Sequence, residues 1–165
     1  MIATISVLVV AAMAGYTIKI SKATSYLSSD PRACINCHVM NTQYATWQHS
    51  SHKDVGCVEC HLPTDDIVEK YKAKAIDGFN HSLAFTLGNY DPAIKISDYG
   101  AERVQKNCIS CHDGLTSEIR NNYHRNHPFK DEPMHQRQKC WECHKSVPHG
   151  KVRATTTTPF NLGVK

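Results

Sequence analysis

All eight cysteines of this 165-residue chain fall into four Cys-x-x-Cys-His motifs: Cys34-Ile-Asn-Cys37-His38, Cys57-Val-Glu-Cys60-His61, Cys108-Ile-Ser-Cys111-His112 and Cys140-Trp-Glu-Cys143-His144. No other feature limits the fold as strongly. The spacing lets two thiols add to the two vinyl groups of one porphyrin while the next imidazole reaches its iron, so the pattern predicts four covalently bound haem c groups. Closed zinc sites would pair the same cysteines but leave the histidine after each second cysteine without a purpose.

Composition bears on how such a chain is held together. Only 8% of its residues are aromatic, 21% are charged and the mean hydropathy is −0.44, which argues against a large dry core of side chains. A small chain of that kind needs staples, and a covalent cofactor is one. The formal charge of +4 is carried by basic residues scattered along the chain rather than gathered in a stripe, which argues against a nucleic-acid partner. Haem propionates would lower that charge further.

From Ile2 to Ile18 the chain is uncharged, and Lys19 and Lys22 follow. At about 1.5 Å per residue the run reaches about 26 Å, enough for a thin hydrocarbon core. It reads as a single transmembrane helix, residues 1–20, ahead of a periplasmic tetrahaem cytochrome c domain, residues 21–165. The competing reading is a cleaved signal peptide, with Ala12-Met13-Ala14 as the processing site before Gly15. Lysines on the C-terminal side of a span conflict with the positive-inside rule. Because bacteria attach c-type haem in the periplasm, the C-terminal part is placed there, and a few basic residues are expected ahead of Met1.

The motifs come as two pairs, begun by Cys34 and Cys57 and by Cys108 and Cys140, which predicts two di-haem modules. Between them Thr64 to Gly88 reads as a helix, with Thr64 as N-cap, Asp65 and Asp66 complementing the dipole, and Gly88 at the end. Ile67, Tyr71, Phe79 and Leu83 give it an apolar side, and Lys70 and Lys74 share a face. Such a helix lies either on a membrane surface or against haem with its basic face in water. Ser97 opens a helix leading into Cys108, Thr116 to Arg125 is a weaker one, and the tail from Arg153 has no period. The expected fold class is mainly α with much irregular loop.

Eleven histidines less the four of the motifs leave seven: His49, His52, His81, His124, His127, His135 and His149. Bis-histidine iron needs a second imidazole, so some of these are distal ligands. His52 stands five residues before Cys57 and His149 five after His144, each pinned near a motif by a short segment. They lead the candidates. His49 competes with His52, and His124, His127 and His135 lie in a polar loop.

Asp30-Pro-Arg-Ala-Cys-Ile-Asn-Cys-His-Val-Met40, Trp47-Gln-His-Ser-Ser-His52 and Trp141-Glu-Cys-His-Lys-Ser-Val-Pro-His-Gly-Lys151 carry a resemblance over essentially the whole chain. It resembles the NapC/NirT family of small tetrahaem quinol dehydrogenases, and within it the membrane subunit that serves an ammonia-forming cytochrome c nitrite reductase. The resemblance implies that Cys-x-x-Cys-His-x-Met delivers Met40 to the first iron and leaves His38 uncoordinated, which raises the potential. It implies His61 at the second iron, whose sixth position is open or filled by a lysine of the partner; His112 with His149 at the third; and His144 with His52 at the fourth. It implies menaquinol as substrate, oxidised beside the first haem by a lysine and an acid on the helix after the second motif. Lys74 matches the lysine. Where the acid is expected the chain has His81, with Asp77 one turn earlier, so either His81 accepts the proton or ligates iron, or Asp77 is the base. The implied partners are the membrane quinol pool and a periplasmic multihaem nitrite reductase catalytic subunit, with room for a homo-oligomer within the complex. Two other functions compete: a soluble periplasmic electron shuttle, and a terminal reductase, whose Cys-x-x-Cys-Lys signature the chain lacks.

Overall fold

The computed structural model describes residues 2–90, 94–118 and 139–150. The described residues form helices and turns, with no strand among them, as the motif pattern leads one to expect. Helix α1, Ile2–Ile20, is the N-terminal apolar run. It ends at Ile20, where the predicted span ends, two residues past the uncharged run, and every one of its residues is exposed. At about 28 Å it is long and apolar enough to cross a membrane. Lys22, at φ 52, breaks the helix in the left-handed region, and a 3₁₀ turn, Ala23–Leu27, follows.

Two 3₁₀ turns, Pro31–Asn36 and His38–Met40, carry the first motif and lead into helix α2, Asn41–Trp47. The second motif is a short helix of its own, α3, Cys57–His61. Helix α4 runs over Ile67–Leu87. Its cap is Asp66, whose carboxylate accepts from Val68 N at 2.8 Å, and not Thr64. An ionised cap next to the helix dipole outcompetes a hydroxyl, and Thr64 is turned instead toward Asp65 and Asn107. Gly88 ends α4 as expected, at φ 66, a conformation that costs glycine little.

Helix α5, Asp98–Cys111, starts at the predicted Ser97, whose Oγ accepts from Gly100 N at 3.2 Å. The third motif forms its last turn, and the fourth is the Cys140–Cys143 helical turn. Residues 113–118 are helical, so the weaker predicted helix begins before Thr116; its remainder, His124, His127, His135 and the tail from Arg153 lie outside the described residues.

Among the described residues the buried apolar side chains are Ala33, Leu62, Ala73 and Val104, joined by the polar Thr46, Ser50, Asn107 and Lys139. Aliphatic packing on that scale cannot hold a domain together by itself. Hydrogen bonds from a few buried polar side chains fix where the motifs stand.

Candidate haem sites

The first motif is tied to the foot of α1. Asp30 caps its 3₁₀ turn by accepting from Arg32 N at 2.8 Å. Asn36 Nδ2 donates to Ser25 Oγ at 2.6 Å, and the Tyr26 hydroxyl lies 3.5 Å from Cys37 Sγ. Burial, with the Cys37 thiol beside it, pushes the Tyr26 phenol up to about 12. Within the motif His38 is exposed while Met40 is half-buried. From α4, Lys74 Nζ donates to Leu27 O at 3.2 Å and Ser28 O at 2.9 Å, and lies 5.4 Å from the centre of the Tyr71 ring. Partial desolvation, then the Lys70 charge, lower the pKa of Lys74, and Cys34 is near enough to act in the other direction.

The other three motifs gather on α5. Asn107, buried, donates from Nδ2 to Cys60 O and Leu62 O, both at 2.8 Å, and its Oδ1 accepts from Thr64 Oγ1 at 3.3 Å. One side chain thereby fixes the exit of the second motif. Two residues earlier, Gln105 Oε1 accepts from Cys140 N at 2.9 Å while its Nε2 stands 3.2 Å from Cys140 Sγ, which fixes the start of the fourth. The first two motifs also meet: a hydrogen bond from the Cys57 thiol brings Cys34 down to about 7 and raises Cys57 in turn. All eight thiols are free of disulfides. Packing therefore joins the second motif both to the first and to the third, across the boundary between the two expected pairs.

The imidazoles converge in the same place. Trp47 Nε1 is shared between His52 O and Val55 O, each at 3.0 Å, and His52 N donates to Ser50 Oγ at 3.1 Å. This loop turns the His52 ring to within 3.4 Å of Val147 O, in the segment that ends at His149. The ring centre of His52 lies 5.9 Å from that of His112 at 70°, and that of His61 lies 6.0 Å from His149 at 5°. The resemblance implied other pairs, His112 with His149 and His144 with His52. His144 is exposed. Desolvation, helped by His149 and Arg103, takes His61 down to about 4, and desolvation lowers His149; both are neutral at pH 7, the form that ligates a metal. His49 is exposed, with Nδ1 2.9 Å from Ala45 O on its own helix.

Gly150 closes the arrangement. At φ 71 it lies so close to α2 that a Cβ would fall 2.4 Å from Thr46 O, a backbone atom that cannot yield, so no other residue fits beside His149.

The three residues expected at a quinol site do not form one cluster. Lys74 reaches the foot of α1, whereas Asp77, half-buried, accepts from Arg103 Nη2 of α5 at 2.8 Å. His81, one turn on, is exposed. Sequence reasoning missed Asn107, Gln105 and Arg103, none of which belongs to a motif and whose partners lie 26 to 47 residues away.

These residues fit covalent haem. Free thiols stand in pairs, each followed by an imidazole, and Arg103 Nε and Nη1 are buried with no acceptor among the described residues, donors of the kind that carboxylates such as propionates satisfy. Four such motifs, with no strand among the described residues and a helix of membrane-spanning length at the N-terminus, define a c-type cytochrome of the membrane-anchored kind. Residues 1–154 match the NapC/NirT cytochrome c family, N-terminal region, and the chain belongs to that family. It is similar to the cytochrome c-type protein NrfH of Wolinella succinogenes, 65% identical over 151 residues that cover 91% of this chain and 85% of the relative. It is also similar to the cytochrome c nitrite reductase subunit NrfH of Nitratidesulfovibrio vulgaris, 28% identical over 124 residues, 75% of this chain and 70% of the relative. Among solved structures, a chain of the cytochrome c nitrite reductase NrfHA complex bound to the HQNO inhibitor shares the fold, with a TM-score of 0.66 and 24% identity over 92% of this chain and 96% of that one.

Proposed function

We propose that this protein is the membrane-anchored, menaquinol-oxidising tetrahaem subunit of a nitrite reductase complex, with residues 1–20 as a single-pass anchor and residues 21–165 on the periplasmic side. It hands electrons to a multihaem catalytic subunit that reduces nitrite to ammonia. The relatives named NrfH support the assignment to such a complex. The observation that carries the quinol reading is the position of Lys74, an ammonium held at the foot of the membrane-length helix and beside Cys34 of the first motif. A lipid-soluble donor arriving along α1 meets that group first.

When bound, the haems supply one-electron carriage, which a two-electron donor must be matched to. The protein's own residues do the rest. Lys74 holds a quinol oxygen by a charge-assisted hydrogen bond. His81, exposed on the same helix, takes the proton in preference to Asp77, whose carboxylate is engaged by Arg103. Met40 rather than His38 is the first-motif iron ligand, in keeping with their burial, and His61, His112 and His144 serve the other three, with His52 and His149 as distal ligands. A soluble shuttle has no use for a membrane-length helix whose foot is bonded to both the first motif and Lys74.

The test is reduction of the full-length chain in liposomes by menaquinol. Wild type is expected to be reduced, and Lys74→Ala at least about tenfold more slowly at equal haem content, the scale of one lost charge-assisted contact in the transition state. Equal rates would defeat the Lys74 assignment, and a wild type inert to menaquinol would defeat the quinol reading as a whole.

A further inference from the structure

Arg103 of α5 is paired with Asp77 of α4, and that pairing leaves the rest of its guanidinium without a role. Its side chain is only 12% exposed. Nη2 donates to Asp77 Oδ2 at 2.8 Å, and the guanidinium carbon stands 4.6 Å over the Tyr99 ring. Nε and Nη1, buried, meet no acceptor among the described residues. Buried donors left unpaired are costly, and a guanidinium is matched to carboxylates by charge and by its fixed array of N–H groups. Asp77 uses one edge of the fork. Two nitrogens still lack an anion.

The surroundings identify which anion is in reach. Asn107, one helical turn further along α5, holds the carbonyls of Cys60 and Leu62, so this stretch of α5 faces the second motif. The Arg103 charge is felt at His61. The propionates of a haem attached at that motif are the carboxylates that cofactor brings with it. We infer that Arg103 is a positioning residue whose remaining guanidinium donors bind a propionate of the haem carried by Cys57 and Cys60, with Asp77 and Tyr99 setting the plane of the guanidinium. This rests on the reading that the second motif carries haem.

The sign of the electrical consequence follows from the charges. A cation on the propionate keeps it ionised and offsets its charge as seen by the iron. Without Arg103 the bare propionate favours the oxidised state, so the potential of that haem falls. The propionate then takes up a proton on reduction, and the potential becomes pH-dependent.

The experiment uses the full-length holoprotein in detergent, comparing Arg103→Gln, Arg103→Lys and Asp77→Asn by potentiometric titration at several pH values and by the propionate bending bands in resonance Raman. Arg103→Gln is expected to shift the one-electron equilibrium of the second-motif haem about tenfold toward oxidised, about 59 mV, with a new pH dependence and shifted bands. Arg103→Lys restores most of the potential but not the bands, because it keeps the charge and loses the fork. Asp77→Asn moves the same potential the opposite way and leaves the bands in place. An unchanged potential and unchanged bands at full haem content, or shifts of the same sign for Arg103→Gln and Asp77→Asn as a merely structural tie would give, overturn the inference. Should Arg103→Gln fail to load haem, the bands of Arg103→Lys decide. Peptide mass spectrometry of residues 57–61 separates the two premises, since missing haem there would defeat the haem reading rather than the role of Arg103.

Discussion

The first motif and the cluster on α5 are built by opposite means. The first lies in 3₁₀ turns whose ties run to the foot of α1: Asn36 to Ser25, Tyr26 to Cys37, and Lys74 to the carbonyls of Leu27 and Ser28. The cluster is positioned by side chains of one helix, Asn107 and Gln105, with partners well inside the domain. The attachment chemistry is the same in both, so the difference lies in what each site is registered against. One is indexed to the turn that follows the membrane-length helix and the other to a helix inside the domain.

The largest effect separating the two regions is expected from Asn107→Ala. It strands the carbonyls of Cys60 and Leu62, a loss of about 2–6 kcal/mol at about 1–3 kcal/mol per unmet buried group. Denaturant unfolding of the holoprotein should show it, while the menaquinol response that depends on Lys74 survives below the midpoint. Loss of that response with unchanged stability would mean that the two regions are not built independently.

A middle-sized effect is expected from pH. Desolvation lowers the pKa of Lys74, so the folded protein gives up this proton at a lower pH than a free lysine does. In the proposed quinol site the Lys74 ammonium is the binding form, and it is lost as pH rises through that lowered value. Over the same window the unfolded chain binds more protons, so stability rises slightly. The alkaline limb of the quinol oxidation profile should therefore fall below the ordinary lysine range, and Lys74→Arg should move it upward. A limb unmoved by that substitution would assign it to another group.

The smallest effect belongs to Lys106, whose ion pair with Asp65 is exposed on both sides. Lys106→Ala should cost less than about 1 kcal/mol in the same unfolding assay. A loss as large as that of Asn107→Ala would show that charge, rather than the buried amide, holds this end of α5.

How much of this could be read beforehand divides by sequence distance. The motifs, the apolar N-terminal run, the Ser97 cap and the Gly88 stop are local patterns, and the structure has each of them. The Thr64 cap failed because Thr64 and Asp66 are both good caps two residues apart, and only the fold shows that Thr64 is needed elsewhere. The imidazole pairs His52 with His112 and His61 with His149 were not legible, since they depend on how α3 and the segment 144–150 settle against α5. Arg103, Gln105 and Asn107 are ordinary polar residues on an amphipathic helix until their partners are known.

The contact between His52 and Val147 O spans 95 residues, and at position 150 only glycine fits against Thr46. Closing a loop of that length costs entropy that no local contact returns. At about 5–20 residues per second of synthesis, the loop around His52 waits roughly 5–20 s for the segment that completes it. The first motif, with its partners close at hand in sequence, has no such wait beyond α4. The ties of the first motif are thus complete once α4 has emerged, while the loop around His52 closes only after the segment 147–150 has been made.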